Sequence, residues 1–312
     1  MADTNTSVAG CTLESYVCNA SGPRSEAWED LHALGQSGSA AIIMKSATPY
    51  ERPGNIEPRC FYGDGVAVQS MGLPNKGIDF YARMSHELKH IYDKPIIASI
   101  AGISMDDYLY MLEKLEGSLV DLVEMNASCP NIEGKRQLGY DPDGLSRLLS
   151  STKDSKLPLG LKLPPYHEQQ LAEDVVQAAA ESGASFLSTS NSAGASLVID
   201  ADTQSTVLAP NNGLGGLSGR CMKPIGLGNV WMLYNAVSSS GHDISIMGVG
   251  GISSGKDAFE YLLAGADAVQ IGVQYETEGR GSFSRIDSEL SDILDEKGYG
   301  SVADAKGNLR LP

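Results

Sequence analysis

The chemistry-bearing residues of this chain concentrate in Asn126-Ala-Ser-Cys-Pro-Asn131, which sets Cys129 between hydrogen-bonding amides directly after the strand-like run Leu119 to Met125. A thiol with an ordinary pKa of ~8.5 can take a proton from a substrate carbon, or return one, after modest tuning by its surroundings. A cysteine can equally be a small buried hydrophobe. Two asparagines and a proline around Cys129 favour the chemical reading, because a core strand rarely gathers so many polar groups. Other apolar runs also end in polar residues: Lys45 and Ser46 follow Ala40 to Met44, Lys162 lies in Leu159 to Leu163, and Asn191 and Ser192 follow Ser185 to Ser188. Each has a bland alternative, since asparagines fill turns everywhere. Their recurrence on successive strands predicts one shared site.

Such a site needs a scaffold that collects strand ends. Apolar, β-branched runs predict strands at Ala40 to Met44, Pro95 to Ile100, Leu119 to Met125, Leu159 to Leu163, Ser185 to Ser188, Ile244 to Met247 and Ala268 to Ile271. Helix-period segments lie between them at Ile78 to Tyr92, Met105 to Leu115, Pro142 to Ser151, Glu168 to Ser182, Pro224 to Ser239 and Gly255 to Ala264. The alternation predicts a parallel sheet, and a closed α/β (β/α)8 TIM barrel is preferred over an open doubly wound sheet. With no composition break or long linker, residues 1–312 read as a single domain.

In a barrel the C-terminal ends of the strands share one mouth. Gly248-Val-Gly-Gly251 and Gln270-Ile-Gly272 leave the last two strands there, where freed backbone amides beside a helix start form a nest for phosphate. A Rossmann fingerprint would need glycine at 253, where the chain has Ser253. The run Gly213 to Gly219 reads as a flexible lid or a close backbone approach to a ligand, and the loop Glu133 to Gly139 as a moving lid.

A net charge of −16 disfavours nucleic acid and anionic membranes as partners. Cys11, Cys18, Cys60, Cys129 and Cys221 include no C-x-x-C pair, which suits a reduced, cytoplasmic protein, and no ligand spacing predicts a metal. His86 and His90, one helical turn apart, lack an evident third ligand, and no apolar stretch reaches the ~20 residues of a membrane span.

The segments Cys18-Asn-Ala-Ser-Gly22, Met44-Lys-Ser46, Asn55-Ile-Glu-Pro-Arg59, Ser70 to Asn75, Asn126 to Asn131, Lys162-Leu-Pro-Pro-Tyr166, Asn191-Ser192, Leu197-Val-Ile-Asp200 and Gly248 to Gly251 resemble, in order, the dihydroorotate dehydrogenases. Cysteine at 129 resembles class 1, and the motif style resembles class 1A, the soluble homodimers that reoxidise with fumarate. The resemblance implies a barrel that binds FMN and oxidises (S)-dihydroorotate to orotate in pyrimidine biosynthesis, with Cys129 as general base and flavin N5 as hydride acceptor. It places Ala20, Ser21, Gly22, Lys45, Ser46, Asn126, Lys162 and Asn191 around the flavin and Gly219, Gly250, Gly251 and Gly272 at its phosphate. Lys162 would lie at the N1 and O2 edge, where a positive charge offsets the negative charge of reduction. Lys45, Gln69, Met71, Gly72, Leu73, Asn126, Asn131, Asn191 and Ser192 would hold the substrate, with Lys45 also assisting catalysis.

Gln69 departs from the family's asparagine, Ala127 from a larger aliphatic residue, and Val273 from a hydroxyl residue beside the phosphate. The methylene of Gln69 is expected to push its amide about an ångström into the pocket, a misplacement that can cost ~10²-fold in rate. These departures keep open a related flavin oxidoreductase acting on another carbonyl-conjugated ring or enoate. A non-redox, phosphate-binding barrel lyase or isomerase using Lys45 or Lys162 is a further alternative.

Overall fold

The computed structural model describes residues 1–128 and 137–312, so Cys129, Asn131 and the first part of the 133–139 loop lie outside the described residues. Eight parallel strands form the central sheet: β1 (Val17–Asn19), β2 (Ile42–Ile43), β3 (Ile96–Ile100), β4 (Leu122–Asn126), β5 (Leu159–Lys162), β6 (Phe186–Thr189), β7 (Ser245–Val249) and β8 (Ala268–Ile271). They pair in the order β1-β8-β7-β6-β5-β4-β3-β2, and the sheet curls until its ends meet as a nearly closed (β/α)8 barrel. At the seam Ala40 N–H donates to Val17 O at 2.9 Å. Asn19 completes the join with its side chain, accepting from Ile43 N–H at 2.9 Å and donating to Ile43 O at 2.7 Å, as a neighbouring backbone would.

Strand β1 was not among the predicted strands. Val17-Cys18-Asn19 is too short to show periodicity, and only its pairing with β8 defines it. The other strands overlap their predicted runs, although Ala40 to Met44 contracts to Ile42–Ile43.

Alternation along the strands divides the core in two. Cys18, Ile43, Ile97, Leu122, Phe186, Met247 and Ala268 form a dry plug inside the barrel. Their outward neighbours, Val17, Ile42, Ile96, Val123, Leu161, Leu187, Ile246 and Val269, pack under the helices. Gly160 on β5 leaves room for this plug, since a Cβ there would come within 2.5 Å of the Phe186 ring. One pleat above the plug the inward residues are polar and buried: Ser99, Glu124, Lys162, Ser188 and Gln270.

Helices connect the strands at Ile78–Ile91, Met105–Leu115, Pro142–Ser151, Gln169–Glu181, Lys223–Ser240 and Gly255–Leu263, close to the predicted segments. Their starts are written locally: Ser104, Asp141 and Ser254 accept from the N–H of Asp107, Gly144 and Asp257, each such cap contributing about 1 kcal/mol. Trp28–Gly35, Val273–Glu278 and Gly281–Lys297 are additional helices outside the predicted set. Among the described residues no helix is long and apolar enough to cross a membrane.

A four-stranded antiparallel sheet is added beside the barrel mouth, in the order 193–197, 214–218, 66–69, 60–63. It corrects the lid reading of Gly213 to Gly219. Leu214–Ser218 is a strand paired on both sides, and its glycines permit close approach: a Cβ at Gly216 would lie 2.4 Å from Ser192 Oγ, and one at Gly215 2.8 Å from Gln69 O.

Candidate active site

The ends of the barrel strands and the added sheet enclose a cleft of about 1520 Å³, counted out to its open mouth. Ala20, Ser21 and Gly22 enter it after β1, Lys45 and Ser46 after β2, Asn126 from β4, Lys162 from β5, Asn191 and Ser192 after β6, Gly250 and Gly251 after β7, and Gly272 after β8, with Gly219 opposite. The barrel therefore brings together side chains spread across some 250 positions of sequence. Gln69, Met71 and Leu73 line the cleft from the added sheet and the loop that follows it, but Gly72 does not. Gly72 adopts φ +72°, and a Cβ there would strike Asn55 Oδ1 at 2.3 Å, so this glycine serves a close turn against Asn55.

Three polar layers follow from the strand register. In the middle layer Ser46 Oγ lies 3.1 Å from Ser21 Oγ and 2.8 Å from Ser99 Oγ, and it accepts from Asn126 Nδ2 at 3.4 Å. Asn126 Oδ1 accepts from Asn191 Nδ2 at 3.3 Å, and Asn191 Nδ2 also donates to Ser128 Oγ at 2.9 Å. Ser128 Oγ donates to Lys162 O at 3.0 Å, tying the start of the cysteine segment to β5. Ala127 is buried, with its N–H on Lys162 O and its carbonyl taking Gly139 N–H at 2.7 Å, so backbone bonds support this loop where a larger side chain is missing.

The floor consists of strand-borne charges. Lys162 Nζ donates to Gln270 Oε1 at 2.6 Å, Gln270 Nε2 donates to Glu124 Oε2 at 2.8 Å, and Ser188 Oγ donates to the same oxygen at 2.7 Å. Burial holds the Lys162 ammonium below its usual pKa, and the nearby Glu124 carboxylate opposes that shift. Glu124 was not expected as part of this site, and Gln270 only as the start of the turn Gln270-Ile-Gly272, not through its side chain. The available signal was the pair of acids, Asp121 and Glu124, inside the otherwise apolar run Leu119 to Met125.

The rim differs. Gln69 lines the cleft, where its amide donates to Ser192 Oγ and accepts from Met71 N–H, both at 3.2 Å. Tyr62 Oη donates to Glu276 Oε2 at 2.7 Å, linking the added sheet to the short helix after β8. Val273 opens that helix and offers no hydroxyl to the cleft.

At one end the backbone forms an anion nest. Gly250 and Gly251 have φ +125° and +70°, and a Cβ on Gly251 would come within 2.7 Å of Lys223 N. A Cβ on Gly272 would enter the cleft with only Ala20 Cβ in reach, at 3.7 Å. Ser190 Oγ and Glu124 Oε1, on residues lining the cleft, are buried with no hydrogen-bond partner among the described residues. Buried polar atoms of this kind imply a ligand that satisfies them. Amides and a lysine over a dry floor, with a glycine nest at one end, fit a planar heteroaromatic ligand carrying an anionic tail.

The fold and cleft thus define a (β/α)8 barrel with a ligand cleft at its C-terminal mouth. The dihydroorotate dehydrogenase family profile matches residues 3–294, and the chain belongs to that family of flavin-dependent oxidoreductases acting on CH–CH bonds. The "Dihydroorotate dehydrogenase (fumarate)" of Saccharomyces cerevisiae is 40% identical over 302 residues, covering 96% of this chain and 95% of the relative. The "Dihydroorotate dehydrogenase A (fumarate)" of Lactococcus lactis subsp. lactis is 39% identical over 312 residues, covering 98% of each. A solved structure of the Eimeria tenella enzyme in complex with ferulenol superposes with a TM-score of 0.79 at 21% identity, over 98% of this chain and 88% of that one, and it speaks to the fold alone. Family membership sets aside the non-redox barrel.

Proposed function

We propose that the protein oxidises (S)-dihydroorotate to orotate in pyrimidine biosynthesis, with FMN in the cleft and fumarate as electron acceptor. The observation that carries this is the convergence of Lys45, Asn126, Lys162, Asn191 and the glycine nest on one cleft in a chain of this family whose relatives carry fumarate in their names.

Bound FMN supplies the hydride acceptor. Ala20, Ser21, Gly22, Ser46 and Lys162 would border its ring, and the amides of Gly219, Gly250, Gly251 and Gly272 its phosphate. Lys45, Asn126, Asn191 and Ser192, joined by Asn131, would hold the substrate ring, since amides match its alternating donors and acceptors. Cys129 would take the proton from the carbon next to that which loses the hydride, leaving the new C=C bond of orotate. In the second half-reaction the thiol would return a proton as fumarate gains a hydride, giving succinate. The likeness to the fumarate-type relatives also supports a cytoplasmic homodimer, which the molecular mass in solution checks.

Anaerobic mixing of the yellow, purified protein with dihydroorotate tests the assignment: flavin absorbance bleaches rapidly and returns on adding fumarate. Protein that holds flavin but stays oxidised would sink the substrate. The C129A variant is expected to keep its flavin and bleach ~10²–10⁴-fold more slowly, the range for a lost general base.

A further inference from the structure

Glu124 is an unusual residue to place inside a barrel. It is 1% exposed on β4, one pleat above the apolar plug, and a carboxylate there loses several kcal/mol of hydration that only close partners can offset. Its Oε2 is fully used by Gln270 and Ser188. Its Oε1 has no hydrogen-bond partner among the described residues and lies 3.8 Å from Lys162 Nζ. Filling space would be met as well by another apolar residue, so the charge needs a separate reason.

Gln270 supplies it. An amide has one donor end and one acceptor end, and here the acceptor faces an ammonium while the donor faces a carboxylate. Only this orientation satisfies both neighbours. The amide is therefore locked as long as both charges persist, and it holds the ammonium through the 2.6 Å bond to Oε1. If Glu124 were neutral, only the ammonium would hold the amide in this orientation, and Lys162 would lose its counter-charge and one of the two restraints on its acceptor.

We propose that Glu124, acting through Gln270, is a positioning residue that keeps Lys162 charged at the floor of the cleft and thereby sets the reduction potential of the flavin bound above it. The proposal rests on FMN occupying this cleft. Burial alone favours neutral Lys162, and Glu124 is the group that opposes burial. The groups facing this layer are few. Ser188 from β6 and Gln270 from β8 do not titrate, and Cys18 from β1, one pleat below, is pushed up to about 12 by burial and stays neutral. Lys45, after β2, lines the same cleft and is present in the wild type and in both variants.

The test is the midpoint potential of the flavin-loaded protein from pH 6 to 11, by equilibration with reference dyes, in the wild type, E124Q and Q270L. Deprotonation of Lys162 gives the potential an alkaline inflection, because a neutral amine no longer offsets charge gained on reduction. The expected result is an inflection displaced to lower pH by at least one unit in E124Q, a tenfold change in the acid constant, and displaced in the same direction but less in Q270L. Variants that melt at lower temperature yet keep the wild-type inflection would overturn the proposal, leaving Glu124 a structural residue. Should E124Q not fold, Q270L decides alone, since it retains the carboxylate and cuts only the link. A wild type that takes up no flavin would overturn both this proposal and the functional reading beneath it, whereas a flavin-bound wild type with unmoved variants would overturn this proposal only.

Discussion

At the floor of the cleft Lys162 and Glu124 have side chains 7% and 1% exposed, while at the rim Arg24 and Glu276 form an ion pair of similar length, 3.9 against 3.8 Å, with side chains 51% and 19% exposed. Water accounts for most of the difference in what these pairs can do. A rim pair is screened and contributes about 0–1 kcal/mol, and neither partner depends on the other. A floor pair has no such independence: each charge is tolerable only because the other is present, and removing one leaves the other stranded. The floor residues sit on barrel strands, whose register admits no adjustment. The rim residues sit on the short turn Pro23–Ser25 and the short helix Val273–Glu278, where side chains can reorient.

The comparison is most directly broken at the floor. Lys162→Met strands the Glu124 carboxylate and is expected to lower unfolding free energy by about 3–5 kcal/mol in denaturant titration of the flavin-free protein. Adding Glu124→Met should restore much of that loss, and a double variant as unstable as the sum of two singles would show the pair is not coupled.

Asp257 tests an intermediate depth, under the glycine nest. Burial pushes its carboxyl up, but a 2.6 Å bond from Lys223, together with bonds from Ser253 and Ser254, more than offsets this and leaves it below its ordinary value of 3.8. Because the folded state holds the carboxylate more tightly than the unfolded chain, its contribution is present above that ordinary value and is lost as pH falls through the lower folded one. Asp257→Asn is expected to cost about 1–3 kcal/mol at pH 7. Its stability should fall less than the wild type's below pH ~4. Parallel acid limbs in the two proteins would contradict this.

Gln69→Asn comes next. Asparagine is too short to span from Met71 N–H to Ser192 Oγ, so kcat/KM for dihydroorotate is expected to fall about 3- to 10-fold, the worth of one net hydrogen bond. A rise instead would mean that the longer side chain hinders the substrate. Smallest is Tyr62→Phe, which removes the bond to Glu276 at the exposed rim and should leave stability within about 0.5 kcal/mol. A larger loss would move this contact from the rim's class into the floor's.

Much of the scaffold was legible because it is written locally. Apolar runs of strand length, helix periods with Ser104, Asp141 and Ser254 at their starts, and glycines at the turns each act over a few residues. Strand β1 escaped because three residues carry no period, and the seam it makes depends on Asn19 reaching Ile43 across the chain. The strand Leu214–Ser218 escaped because its glycines exist for the approach of Val66–Gln69 and Ser192, which lie far away in sequence.

What the sequence determined by itself was the alternating order of elements, the polar residues that end successive strands, and hence the family and its chemistry, all of which depend on residue type and near-neighbour spacing. What only the tertiary structure decided was which of those groups meet and how dry they are. Glu124, Lys162, Ser188 and Gln270 come from β4, β5, β6 and β8, and nothing near any one of them in the chain announces the other three. Barrel closure turns all four inward at one level, excludes water there, and so makes each charge depend on the rest.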